Sequence, residues 1–246
     1  MKRLLILKTG STLPEVAARR GDFEDWIRPA LGWAPEAVEV ASVHLGDALP
    51  EPSRVAGIVV TGSPAMVSER EPWSESAGRW LVTAVEAGTP VLGICYGHQL
   101  IAQAFGGRVG PNPRGREIGT VDVEFEAAAA GDALLGALGR RVGFHTSHVE
   151  SVLELPPRAT RLASTRLDPN HVFALGDRVW GVQFHPEFDA DIMRGYLEGR
   201  RVQIEAEATD VDALLAAVHE TPEATDLLRR FGDIVREPGG DRAPTS

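Results

Sequence analysis

The chain has 246 residues, 43% hydrophobic and 24% charged, with 25 basic against 35 acidic side chains and a formal net charge of -10 at pH 7. These are the proportions of a globular protein; they exclude wholesale disorder, collagen and a continuous coiled coil, and the acidic balance argues against a nucleic-acid or anionic-membrane surface. A chain of this length builds a core without disulfides or structural metal, and its single cysteine, Cys95, is either core filling or chemistry.

The N-terminal MKRLLILKTG opens with basic residues, but its apolar run at 4–7 stops at Lys8, too short for a secretory leader. No apolar stretch reaches the roughly 18 residues of a membrane span, so a cytoplasmic location without membrane contact is expected. Short, mostly β-branched runs at 4–7, 38–43, 55–61, 91–95, 121–125, 152–155, 172–175 and 179–184 read as strands. Helices are expected at 14–31, 73–87 and 97–105, the last two closed by Gly88 with Pro90 and by Gly106-Gly107.

Buried strands alternating with helices in the first hundred residues imply a parallel sheet covered on both faces. After residue 119 strands predominate, and TVDVEFEA alternates as an antiparallel edge strand would. The expected fold is therefore a mixed, mostly parallel open α/β sheet over residues 1–200. Residues 201–246 form a helical C-terminal extension with a frayed end. In it VDALLAAVHE and ATDLLRRFGDIV carry helical spacing on either side of Thr221-Pro222. Apolar positions such as Leu214, Leu215 and Val218 are expected to pack on the main domain rather than form a homodimer contact.

Cys95 lies in TPVLGICYGHQLIAQAFGG, where an apolar strand meets a turn of small residues and then an amphipathic helix. This is a G-x-C-x-G nucleophile elbow, flanked by Gly93 and Gly97, and the helix N-terminus behind it favours thiolate. A second segment, VWGVQFHPEF, ends a strand at His185-Pro186-Glu187. Pro186 cannot continue a ladder, so the histidine and glutamate enter the loop. Open α/β sheets bind ligands beyond the carboxyl ends of their strands. Cys95, His185 and Glu187 then read as nucleophile, base and orienting group, a Cys-His-Glu catalytic triad.

Gly93-Ile94-Cys95-Tyr96-Gly97-His98-Gln99 and Gly181-Val182-Gln183-Phe184-His185-Pro186-Glu187, with the loop at 61–64, resemble the class I glutamine amidotransferases over about residues 4–200. The motif set looks most like the amidotransferase part of GMP synthases, here without a fused synthetase. The resemblance implies a flavodoxin-like fold and a cysteine-dependent amidohydrolase. Cys95 would attack the side-chain amide of L-glutamine to form a γ-glutamyl thioester, releasing glutamate and ammonia. His185 would move the proton and Glu187 would fix the imidazole. Backbone N–H groups of Ser63 and Tyr96 would stabilise the oxyanion, although many members place glycine where Ser63 stands. Gly62, Gln99, Ser147 and His148 would contact substrate, with His145 outside the site.

No cofactor is expected. Pairs such as Cys95 with His98 or His145 with His148 give no convincing tetrahedral set, so no metal is expected either. The chain carries no G-x-x-x-x-G-K-[ST] phosphate loop, and an ATP-using acceptor of the ammonia would be a separate synthetase chain. Two other readings stand beside this one: a γ-glutamyl peptidase acting on γ-glutamyl peptides or conjugates, whose Ser63-Pro64 loop this one resembles, and a non-catalytic regulatory or binding subunit.

Overall fold

Five of the six residues of strand β1 (Arg3–Lys8) are buried. Its side chains alternate between two cores: Leu4 and Ile6 belong to one, Leu5 and Leu7 to the other. A strand apolar on both sides must be covered on both sides, which is the condition for a parallel sheet between helical layers. The structure, a computed structural model, describes residues 2–237. The expected fraying of the last residues lies outside them.

After β1 come α1 (Pro14–Arg20), α2 (Phe23–Ala30), β2 (Val38–Ser42), β3 (Val55–Val60), α3 (Pro72–Glu86), β4 (Val91–Ile94) and α4 (Tyr96–Ala104). The next strands are β5 (Arg108–Pro111), β6 (Glu117–Phe125), β7 (Arg141–His148), β8 (Glu150–Glu154), β9 (Ala159–Ser164), β10 (Val172–Leu175) and β11 (Val179–Val182). Helices α5 (Ala190–Gly199), α6 (Arg201–Ala206), α7 (Val211–Ala217) and α8 (Pro222–Arg236) complete the described chain.

Nine strands form one open sheet in the order β2-β1-β3-β4-β11-β10-β9-β6-β7, and β5 and β8 form a separate antiparallel pair. From β2 to β11 every neighbouring pair is parallel, and from β11 to β7 every pair is antiparallel. The fold is thus the expected mixed open sheet, flavodoxin-like, with a C-terminal helical segment.

Three details differ from the sequence expectation. The helix expected over 14–31 is two helices, because Gly21 takes a positive φ of 81° and Asp22 begins a new helix with a reciprocal capping box to Asp25. The alternating strand β6 is not the edge: β7 pairs outside it along its whole length. Strands β5, β7 and β9 were not anticipated, since their sequences RVGP, RVGFHTSH and ATRLAS lack an apolar run.

The C-terminal segment is built into the core. Leu227, Leu228 and Phe231 of α8 are fully buried, and the Phe231 ring meets Trp180 of β11 edge-on at 6.2 Å. Gly57 of β3 leaves room for Val235: a methyl group there would lie 2.4 Å from a Val235 methyl carbon. Val218 is buried, while Leu214 and Leu215 are partly buried against the same core.

Candidate functional site

The parallel half of the sheet gathers three loops. Ile94 at the end of β4 is in register with Val182 at the end of β11, and β3 pairs β4 on its other side. The segments 61–64, 95–99 and 183–187 therefore leave adjacent strands at the same edge. That edge is the carboxyl end of a parallel sheet, where ligand sites form.

Cys95 sits between β4 and α4 at φ 50° and ψ -99°. A non-glycine residue with positive φ is strained, and such strain is held by close packing around it. Its neighbours show why they are glycines. A methyl at Gly93 would lie 2.5 Å from the Gly97 carbonyl, and one at Gly97 would lie 2.5 Å from the Val60 carbonyl oxygen. Backbone N–H of Cys95 donates to Val182 O at 2.8 Å, tying the elbow to β11.

In the third loop, His185 N–H donates to His145 O at 2.8 Å, so His145 supports the loop through its backbone. The His185 ring stacks on Phe188 at 4.1 Å, and its Nδ1 donates to Glu187 Oε1 at 2.7 Å. Gly62 stands against this ring: a methyl there would lie 2.9 Å from His185 Cε1. Burial opposes a charge on His185, but the Glu187 carboxylate and Cys95 together outweigh it and hold the imidazole pKa well above its ordinary value. Burial likewise pushes the Cys95 thiol up, and the positive charge of His185 draws it below its ordinary value despite that.

The expectation of a cysteine-dependent amidohydrolase with a Cys-His-Glu triad is corrected here. Among the described residues, the His, Cys, Asp and Glu side chains whose donor atoms converge within 4.8 Å as a set of three are Glu117, His148 and His171. That set contains no cysteine. Cys95 is a lone buried thiol, and the hydrogen-bond acceptor of its sulfur is the Ser147 carbonyl oxygen, 3.9 Å away. His185 and Glu187 are hydrogen-bonded to each other, and His185 acts on Cys95 through its charge and a side-chain hydrogen bond.

A solvent-open cleft runs past the sulfur, lined by Ser63, Cys95, Tyr96, Gln99, Ser147 and His148 among others. Of the residues expected to act, His185, Glu187 and Gly62 stand behind this lining. The Ser63 loop is firmly held: Ser63 Oγ donates to Thr9 O at 2.8 Å and accepts from Ala65 N at 3.1 Å. Gln99 Nε2 is spent on Glu150 O at 2.8 Å and Gln183 Oε1 at 3.0 Å. His148 has both ring nitrogens engaged, Nδ1 by Glu150 O at 2.8 Å and Nε2 by Glu117 Oε2 at 3.1 Å. Neither side chain reaches the cleft with a free nitrogen, so both are better suited to shaping its wall.

Sequence reasoning missed Arg116, Glu150 and Arg200, which also line the cleft. Arg116 is paired with Glu207 at 2.9 Å. Arg200 lies 5.8 Å over the Tyr196 ring, and its Nε is buried without a hydrogen-bond partner. The Glu150 carboxylate accepts from Ser68 N at 3.3 Å and from Ser68 Oγ. None of the three stands in a motif; only the sheet and α5 bring them to Cys95.

The family profile described as Glutamine amidotransferase class-I matches residues 32–198. A GMP synthase (glutamine-hydrolyzing) of Aeropyrum pernix is 34% identical over 239 residues, which are 97% of this chain and 41% of that protein. One subunit of a GMP synthase (glutamine-hydrolyzing) of Pyrococcus furiosus is 36% identical over 146 residues, 57% of this chain and 73% of that protein. The chain thus spans about two-fifths of the Aeropyrum relative. Among solved structures, a glutamine amidotransferase from Methylobacillus flagellatus superposes with a TM-score of 0.76 at 20% identity, covering all of both chains. One from Thermotoga maritima gives 0.75 at 22% identity, covering 96% of this chain and all of that one. At those identities the structural likeness speaks for the fold.

Proposed function

The chain belongs to the class I glutamine amidotransferase family, and from that premise we propose that the cleft at Cys95 receives the γ-glutamyl group of peptides or conjugates. The family-level chemistry is that of an amidotransferase or hydrolase. The observation that carries the narrower reading is the pair of arginines over the cleft, Arg116 and Arg200. Free glutamine offers one carboxylate, whereas a γ-glutamyl peptide offers two. Arg200, with a buried and unpartnered Nε, is suited to the second, and guanidinium recognises carboxylate through directed, charge-assisted hydrogen bonds. Glu150 supplies the opposite charge for the α-ammonium group.

In this reading the γ-carbonyl lies over the elbow. Ser63 and Tyr96 offer backbone N–H groups to its oxygen, with Gly62, Gln99, Ser147 and His148 shaping the pocket. Cys95 is the residue of the cleft lining at that elbow. The test is initial-rate glutamate release from γ-glutamyl dipeptides and from free glutamine. The reading expects kcat/KM to favour the dipeptides, with Arg200→Met raising KM for dipeptides while leaving KM for glutamine within about twofold. A clear preference for glutamine in the unmodified protein would end it.

A second reading has one specific support, the Pyrococcus furiosus relative being a separate subunit of its GMP synthase. Here glutamine is the substrate, Cys95 carries a γ-glutamyl thioester, and ammonia passes to a separate synthetase chain. It requires the sulfur to leave the Ser147 carbonyl. A diazo-ketone analogue of glutamine distinguishes the readings from a binding subunit without turnover. Stoichiometric labelling of Cys95, absent in Cys95→Ala, supports thioester chemistry; no labelling, with dipeptides still bound, supports the binding subunit.

A further inference from the structure

Behind the wall of the cleft, the first residue of β6, the last residue of β7 and the residue preceding β10 meet. Glu117 and His148 are directly opposed in the β6–β7 pairing. Glu117 Oε2 lies 3.1 Å from His148 Nε2 and 3.5 Å from His171 Nδ1. All three side chains are buried, with exposures of 4%, 1% and 0%. We propose that Glu117, His148 and His171 form a binding site for a divalent transition-metal ion of the zinc type.

The spacing fits such an ion. Ligands held about 2.0 to 2.1 Å from a tetrahedral centre are about 3.3 Å apart along each edge, and the two separations to Glu117 bracket that value. The orientation of each donor fits as well. His148 Nδ1 donates to the Glu150 carbonyl, and Nε2 donates to Glu117 Oε2 at 3.1 Å, a proton whose place a bound cation would take. A backbone carbonyl on the far nitrogen is the usual support of a metal-bound histidine. Glu117 is held by its other oxygen, which accepts from Thr165 Oγ1 at 2.7 Å.

The second observation is a deficit. Both ring nitrogens of His171 and the Oδ2 of Asp168 are buried without hydrogen-bond partners. Asp168 Oδ2 lies 3.9 Å from His171 Nδ1, and both side chains have 0% exposure. Buried polar groups are normally satisfied, and a cluster of orphans facing one another calls for a bound species among them. A cation satisfies the Glu117 carboxylate and the imidazole lone pair together, while Asp168, outside the converging set, stands as a partner to His171. Glu117 and Thr165 line a solvent-open hollow on the outer side of the sheet, which gives an ion a way in.

The ion would act structurally, since His148 lies between Ser147 and Glu150, both in the cleft wall. The site is independent of the substrate reading. Its test begins with the full chain stripped by a chelator and titrated with Zn2+, then separated from free metal. We expect one zinc retained per chain, a rise in Tm on binding, and tetrahedral Co2+ absorption on substitution. His171→Ala and Glu117→Gln should each weaken zinc binding by at least about tenfold, while exposed His219→Ala and the cysteine variant Cys95→Ala should bind as the unmodified chain does. Because substitution in a buried cluster can unfold the chain, imidazole 15N shifts of the unmodified protein give a second readout. Zinc should move the signals of His148 Nε2 and His171 Nδ1. Failure to retain zinc, undiminished binding by folded His171→Ala, or unmoved imidazole shifts would each overturn the proposal.

Discussion

At Gly97 a side chain has nowhere to go. A methyl there would meet the Val60 carbonyl oxygen at 2.5 Å and the Val60 side chain at 2.8 Å, and backbone cannot yield as a flexible side chain can. Gly97→Ala should therefore destabilise the protein by about 1 to 3 kcal/mol, read as a lower urea midpoint with unchanged slope; an unchanged midpoint would contradict this geometry. A second residue-scale expectation concerns pH. His185 has its pKa raised above the ordinary value of 6.5, so its pairing with Glu187 contributes stability fully below that value and loses it as pH rises through the raised one. Urea denaturation of the unmodified protein should show this loss above about pH 6.5, and Glu187→Gln, which removes the charge holding the proton, should show less of it. A pH dependence identical in the two proteins would contradict the assignment. The strand ends that carry Cys95, His185 and Glu187 were legible in the sequence because nearby glycine or proline marks them, although the triad read from them is not the set that converges. The grouping of Glu117 and His171 with His148 was not legible, because the three come from strand ends with no recurring spacing, and only strand pairing brings them together.

Helix α8 shows what periodicity can and cannot convey. Its apolar spacing announced a helix, and Thr221-Pro222 marked its start, but the surface it covers was not written in that pattern. The structure buries Leu227, Leu228 and Phe231 against the sheet and fits Val235 over Gly57. Phe231→Ala should cost about 3 to 5 kcal/mol of global stability, measured by chemical denaturation followed at two probes. A loss confined to helix content, with the sheet unfolding at its former midpoint, would show α8 to be an appendage. The opposite limit appears at α1 and α2. A continuous apolar pattern over 14–31 concealed the break at Gly21, because one positive φ and one aspartate cap interrupt a helix without disturbing its spacing. Strands β5, β7 and β9 were not legible for a related reason: strands rich in polar or small residues draw their stability from neighbouring strands rather than from their own composition.

On the scale of the whole molecule, the switch from parallel to antiparallel pairing at β11 decides where the cleft lies. The parallel half brings the ends of β3, β4 and β11 to one edge, while β7 of the antiparallel half supplies Ser147 and His148, and β8 of the separate pair supplies Glu150, to the far wall of the cleft. Parallel order was legible from buried strands alternating with helices. The charge of the cleft was not, since Arg116 and Arg200 enter it from β6's approach and the end of α5. Among the described residues no helix is long and apolar enough to cross a membrane. The central claim is that this cleft is shaped for a γ-glutamyl group carrying a further carboxylate. Calorimetric binding to Cys95→Ala, which separates recognition from turnover, tests it most directly. The account predicts tighter binding of a γ-glutamyl dipeptide than of glutamine, by tenfold or about 1.4 kcal/mol, with the difference abolished by Arg200→Met. Equal binding of the two ligands, or tighter binding of glutamine, would contradict it.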